Sequence, residues 1–225
     1  MRQVFHDELE QVAADLVELA HLVAGAIRQS TAALLDADVQ VADAVIAADQ
    51  EIDRRRNELD QRSIDLLARQ APVASDLRTV VASMRISGDL ERMGDLARHV
   101  AQVVRLRYPE NAIPDEVRES FASMGRAAEE IVARAADTIR TQDAYGARAI
   151  EQIDDRLDEL HRDMFTQLAE GTWQHGTTRA VDAALLSRYY ERFGDHAVTI
   201  ARRVGFLVTG EFHPSDDALD VDDGV

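Results

Sequence analysis

Acidic residues recur along the chain in pairs with one spacing, acid-x-x-x-Asp. The four pairs are Asp49 with Asp53, Glu91 with Asp95, Asp154 with Asp158, and Glu191 with Asp195. Residues four apart on an α-helix lie one turn apart on the same face, with Cβ atoms about 6 Å apart. Carboxylate oxygens are the ligands that hard cations prefer, and one carboxylate can bridge two ions. The pairs therefore predict multinuclear sites for iron, manganese, magnesium or zinc.

A solvated helix border is the competing explanation, and for any single pair it is the simpler one. Two like charges at this spacing repel and cost about 0.2–0.5 kcal/mol per pair, so four symmetric pairs favour a compensating ligand. Six of the eight acids follow an apolar residue by one position, as Asp53 follows Ile52 and Glu91 follows Leu90. One position is about 100° of helix rotation. We therefore expect the acids to border the core, where pairs from neighbouring helices can converge on a four-carboxylate patch.

Other polar or small residues beside the acidic pairs have more than one explanation. Gly94 and Gly194 precede Asp95 and Asp195, and a mid-helix glycine costs about 1 kcal/mol relative to Ala. Close helix contact and room for a ligand explain them equally well. Two histidines near the pairs are candidate nitrogen ligands for a metal ion. Two arginines within the pairs are candidate contacts to partners or phosphate groups. For both residue types, ordinary surface roles are commoner. These residues are His99, His196, Arg92 and Arg192.

Apolar periodicity places these motifs on long helices. Apolar residues at spacings of three and four predict a first helix over about 5–35. Asp38 supplies an N-cap for a second helix that ends near Gln70, and Ser75-Asp76 supplies one for a third that stops at Tyr108-Pro109. Asp115 then offers a cap for a fourth helix, and the plan begins again.

The chain also repeats itself in sequence. Residues 38–53 recur as 143–158 at an offset of 105, and residues 91–101 recur as 191–201 at an offset of 100. The shared pattern Glu-Arg-x-Gly-Asp is not one that helix amphipathicity requires. The repeat predicts an all-α fold of two tandem three-helix bundles, six long helices in all, related by pseudo-twofold symmetry. We place the bundles at 1–108 and 115–212, followed by an acidic, disordered tail at 213–225.

Composition limits the function classes. With 25 Lys and Arg against 42 Asp and Glu the formal charge is −17, so a polyanion such as nucleic acid or an anionic membrane is a poor partner. The chain has no Cys, which excludes disulfides and thiolate metal sites. It shows no signal peptide pattern and no membrane span. We expect a soluble, cytoplasmic protein.

Four motifs in this order resemble the PhoU family over residues 5 to about 210. They are Asp49-Gln-Glu-Ile-Asp53, Ala71-Pro-Val-Ala-Ser-Asp-Leu-Arg78, Leu90-Glu-Arg-Met-Gly-Asp95 and Tyr190-Glu-Arg-Phe-Gly-Asp195. The resemblance implies two three-helix bundles with polynuclear metal clusters on the acidic pairs. It implies a regulator, not an enzyme, that helps the phosphate ABC transporter ATPase and a phosphate-sensing histidine kinase keep the starvation response off. We also expect a homodimer.

The resemblance leaves some points open. Within its motifs, Asp76 and Arg78 are candidate partner-binding residues, and their segment has no good counterpart in the second half. Two other classes of protein remain possible. One is a di-iron carboxylate enzyme, for which the acid-x-x-His fragments at 18–21 and 158–161 would supply ligands in a four-helix core. The other is a metal-free helical adaptor.

Overall fold

A computed structural model of the chain describes residues 2–170 and 173–211. The predicted acidic tail at 213–225 lies outside the described residues. Within the described part, the chain forms six α-helices, one short 3-10 helix and no strand. The helices are α1 (Arg2–Asp36), α2 (Val39–Gln70), α3 (Ser75–Arg107), α4 (Arg118–Thr141), α5 (Ala147–Ala169) and α6 (Gly176–Thr209), and the 3-10 helix covers Asp115–Val117. The predicted all-α class is confirmed.

Some of the predicted helix ends are right and others are wrong. Asp38 caps α2 as expected, since its carboxylate accepts hydrogen bonds from the backbone of Gln40 and Val41. Ser75 does not cap α3. The preceding residue Ala74 lies in the left-handed region at φ 52° and offers no side-chain cap, so a backbone bond from Arg78 N to Ala74 O closes the first turn at 3.1 Å.

Asp115 was also wrongly predicted as a helix cap. It lies inside the 3-10 helix instead, with Pro114 at the N-cap position. A backbone bond from Val117 N to Pro114 O, at 3.2 Å, forms this turn, and α4 begins only at Arg118. The side chain of Asp115 is therefore not needed to begin the fourth helix.

Helix contacts reproduce the repeat. The first three helices pack on one another, and so do α4, α5 and α6. The two trios meet through the equivalent pairs α1 with α4 and α3 with α6. Contacts of α1 and of α3 with their own counterparts are what a pseudo-twofold axis between two tandem bundles produces.

The core runs continuously through both bundles. Its largest fully buried side chains include Phe121, Phe193 and Tyr190, and the Tyr190 hydroxyl lies 2.7 Å from Thr31 Oγ1 in the other half. A buried hydroxyl needs such a partner. Among the described helices, none is long and apolar enough to cross a membrane.

Candidate metal centres

The four acidic pairs lie on the two helix pairs that the repeat makes equivalent. We call the acids of α2 and α3 the first cluster and those of α5 and α6 the second cluster. The first cluster is Asp49, Asp53, Glu91 and Asp95, and the second is Asp154, Asp158, Glu191 and Asp195. Because α2 packs on α3 and α5 packs on α6, the structure brings two pairs together in each bundle, as the spacing predicted.

The first cluster contains an arginine. Arg98 Nε lies 2.6 Å from Asp49 Oδ2, and a second guanidinium nitrogen contacts Asp95. Burial raises the pKa of Asp49 to about 6 although Arg98 lowers it, and the charges of Asp95 and Asp53 add to the rise. The pKa of Glu91 is raised by burial and then by Asp95 and Asp53. These carboxylates therefore lie close enough to repel one another, with one cation among them.

The second cluster has a stronger concentration of negative charge. Burial, followed by Asp195, Asp158 and Glu191, raises the pKa of Asp154 to about 7. Burial and Asp195 raise the pKa of Glu191 to about 7, against an opposing effect of Arg188, which pairs with it from the same helix. The pKa of Asp195 is raised by burial and by Asp158. All four acids therefore interact, and burial together with mutual repulsion disfavours the charged forms of Asp154 and Glu191.

The two glycines explain how the helices approach at the clusters. A Cβ atom built on Gly194 would lie 2.2 Å from Asp154 Oδ1 and 2.9 Å from Leu157 Cδ1. One built on Gly94 would lie 2.9 Å from Ile52 Cδ1 and 3.8 Å from Asp49 Oδ1. The contacts are equivalent under the repeat. Close helix contact therefore accounts for both glycines, and at Gly194 the space is taken by a carboxylate.

The fit of a metal ion can be tested on the carboxylate oxygens. Within residues 2–170 and 173–211, no three acidic or histidine side chains are already arranged to hold one ion. The second cluster nevertheless has two buried carboxylate oxygens without a hydrogen-bond partner, Asp154 Oδ1 and Glu191 Oε2. Buried acceptors of this kind need compensation. The donor set therefore suits a hard cation after side-chain rotation, and the second cluster fits better than the first.

The four candidate partner-binding residues fall into two groups. Arg92 and Arg192 are exposed, and each opposes the rise in pKa of an acid beside it, Glu91 and Asp195 respectively. Arg78 instead binds the end of α6, where its Nε donates to Leu207 O at 3.2 Å. Asp76 is half-buried in the first turn of α3. The side chains of Asp76 and Arg78 are therefore less accessible to a partner than those of Arg92 and Arg192.

Neither candidate histidine points into a cluster. His196 is buried, and its Nδ1 lies 3.4 Å from Asp89 Oδ1 on α3. The ring of His99 packs on Tyr189 with centroids 5.3 Å apart. Both side chains lie at the contact of α3 with α6, so they belong to the junction between the bundles.

Sequence reasoning missed Arg98 and Arg188. Each stands where the other half has an uncharged residue, because position 198 is Val and position 88 is Gly. The signal was present as a break in the repeat. A repeat motif defined by matching positions does not contain residues that occur in one half alone.

The contact of α3 with α6 holds two further ion pairs that the repeat does not duplicate. Arg107 Nε donates to Asp182 Oδ2 at 2.6 Å, and Arg203 pairs with the buried Asp89. Each joins α3 to α6. These pairs add charged contacts to the apolar packing between the two bundles.

Comparison with known proteins gives one consistent family. The PhoU domain matches residues 16–104 and 121–204, one match in each half. The phosphate-specific transport system accessory protein PhoU homolog 2 of Mycobacterium tuberculosis (strain ATCC 25618 / H37Rv) is 43% identical over 212 residues, 94% of this chain and 100% of the relative. Homolog 1 of Mycobacterium leprae is 42% identical over 219 residues, 97% of this chain and 98% of the relative.

The solved structures that resemble this chain are also PhoU proteins. The crystal structure of PhoU from Pseudomonas aeruginosa has a TM-score of 0.83 at 30% identity and covers 92% of this chain and 100% of its own. The matches extend over both bundles and both clusters. The chain belongs to the PhoU family.

Proposed function

We propose that this protein is an accessory regulator of phosphate uptake and of phosphate-starvation signalling. The observation that supports the proposal most strongly is the match over almost the whole length to phosphate-specific transport system accessory proteins. A match over 94% of this chain includes both bundles, so the proposal does not depend on one shared domain. The names of these relatives indicate an accessory role in transport, not a catalytic one.

The finer proposal is that the protein works in the cytoplasm, as a homodimer, through contacts with two partners. These are the ATPase subunit of the phosphate ABC transporter and a phosphate-sensing histidine kinase. The exposed Arg92 and Arg192 give each bundle a cation beside its acidic cluster. Equivalent surfaces on two bundles suit a protein that contacts two partners at once.

The metal part of the proposal is that both clusters bind divalent or ferric ions. A bound ion would supply positive charge that links α2 to α3, and α5 to α6. The residues that would hold it are the four acids of each cluster, of which Asp154 and Glu191 carry buried oxygens without partners. Metal would offset the mutual repulsion of these acids and stabilise each bundle.

Deleting the gene tests the regulatory role. In phosphate-rich medium, we expect the deletion strain to express phosphate-starvation genes that the parent keeps off, and a plasmid copy to restore repression. A pull-down from phosphate-replete cells should recover the transporter ATPase and the kinase. Unchanged expression in a strain without a second copy of the gene would contradict the proposal.

The di-iron enzyme is less well supported by the geometry. Its first fragment would use Glu18 and His21, but both side chains are exposed and Glu18 pairs with Arg55. In the second fragment, His161 Nδ1 lies 3.0 Å from Ser187 Oγ. The two fragments are not at equivalent repeat positions. Oxygen consumption on addition of ferrous iron would revive this alternative.

The metal-free adaptor differs from our proposal only in metal content. Elemental analysis of the protein purified without chelators distinguishes the two. We expect iron, manganese, magnesium or zinc to be retained. Protein that regulates phosphate genes normally but carries no metal would favour the adaptor.

A further inference from the structure

The two clusters differ in where their nearest arginine comes from. Arg98 in the first half corresponds to Val198 in the second, and Arg188 in the second half corresponds to Gly88 in the first. The repeat therefore preserves the acids but exchanges the position of the cation. This exchange changes what each arginine can reach.

Arg98 reaches across the helix contact. Its guanidinium contacts Asp49 on α2, at 2.6 Å, and Asp95 on α3. The side chain of Asp49 is only 11% exposed and that of Arg98 is 28% exposed. A cation that joins carboxylates from both helices occupies the position that a shared metal ion would need. A guanidinium and a metal ion cannot both bind these oxygens.

Arg188 has a different geometry. It contacts Glu191 three residues away on its own helix, and its side chain is 51% exposed. Val198, which stands in place of Arg98, is buried and apolar. Arg202 joins α6 to α5 through Glu151, outside the cluster. Among the described residues, no guanidinium joins the cluster's own carboxylates across the two helices. The second cluster therefore lacks the cation that holds the carboxylates of the first cluster together across its two helices.

We propose that Arg98 is a built-in competitor for metal in the first cluster, so that the second cluster binds metal first and more tightly. The inference rests on the proposed metal-binding role and names its regulation. An ion that enters the first cluster has to displace Arg98 from Asp49 and Asp95. The second cluster would therefore fill at a lower metal concentration than the first.

Manganese titration of the metal-stripped full-length protein tests this inference, with free Mn²⁺ measured by electron paramagnetic resonance. Asp195→Asn disables the second cluster and leaves the first to be measured alone. In that background, we expect Arg98→Val, which copies the residue of the second half, to lower the half-saturating Mn²⁺ concentration about tenfold or more, equivalent to about 1.4 kcal/mol.

The matched control is Arg92→Val in the same background. It removes one positive charge beside the same acids, but its exposed side chain forms no bridge between the helices. We expect its effect to be less than about threefold because solvent screens exposed charges. Arg98→Gln is the second test variant if Arg98→Val fails to fold, with circular dichroism as the check.

Each outcome decides a different point. Equal gains from Arg98→Val and Arg92→Val would reduce the effect to general charge and overturn the competitor role. Unchanged affinity in the Arg98 variants, with Mn²⁺ still bound, would overturn it while leaving the metal-binding function intact. If even the wild type binds no Mn²⁺, the proposed metal function fails and the inference fails with it.

Discussion

The first and second clusters have the same acids on equivalent helices and the same glycine at the helix contact, yet their electrostatics differ. In the first, Asp49 has Arg98 within 2.6 Å and a pKa of about 6. In the second, Asp154 has an unpartnered oxygen and a pKa of about 7. Repeated residues thus set where the carboxylates lie, whereas residues that differ between the halves set which cation lies beside them.

Substituting each glycine by alanine gives the largest expected difference. In the second cluster, Gly194→Ala places a methyl group 2.2 Å from Asp154 Oδ1 and must move the carboxylate. Overpacking costs about 1–3 kcal/mol, against a helix gain of about 1 kcal/mol. We expect a net loss of up to about 2 kcal/mol in the free energy of unfolding, measured by urea denaturation, together with weaker Mn²⁺ binding.

Gly94→Ala is the matched variant in the first cluster. Its methyl group would meet Ile52 at 2.9 Å, but Asp49 Oδ1 only at an ordinary 3.8 Å. We expect a loss of stability with metal affinity almost unchanged. If Gly94→Ala weakened metal binding as much as Gly194→Ala, the claim that only Gly194 makes room for a carboxylate would be wrong.

The pH dependence of the metal-free protein gives the next largest effect. The pKa values of Asp154 and Glu191 rise from 3.8 and 4.5 to about 7 in the folded state. The folded protein therefore binds more protons than the unfolded chain, and stability falls as the pH rises from about 4 to about 7. We expect Asp154→Asn to be more stable than wild type at pH 8, by on the order of 1 kcal/mol after solvent screening.

Asp49→Asn provides the comparison in thermal melts with chelator from pH 5 to 8. The pKa of Asp49 is raised only to about 6, and the amide leaves Arg98 without one of its two carboxylates, so a smaller gain at pH 8 is expected. An equal gain in both variants would show that Arg98 does not compensate the charge of Asp49.

The smallest expected difference comes from removing one carboxylate charge, either from α3 or from α6, in the metal-free protein. The spacing alone predicts a gain of a few tenths of a kcal/mol at each site. The structure limits this gain to Asp195→Asn, because Asp95 pairs with Arg98. We expect Asp95→Asn to be neutral or slightly destabilising in chelator, as measured by melting temperature. A gain at both positions would contradict the pairing.

Much of the fold could be predicted because it follows local rules. Apolar spacing gave the helices, and Asp38 could be identified as a cap because an N-cap carboxylate binds its own helix. Ser75 and Asp115 were wrongly predicted as caps because backbone hydrogen bonds, and not their side chains, close those turns. The positions of the acids followed from helix geometry. The bridge by Arg98 did not, because it depends on the depth at which two helices pack.

The central claim is that the clusters bind metal, and thermal stability of Asp95→Asn/Asp195→Asn with and without Mn²⁺ tests it most directly. A ligand that binds only the folded state stabilises it by about 2.7 kcal/mol at a hundred times its dissociation constant. We therefore expect Mn²⁺ to raise the melting temperature of the wild type well above that of the double variant. An equal rise in both proteins, or a rise in neither, would show that Asp95 and Asp195 are not metal ligands.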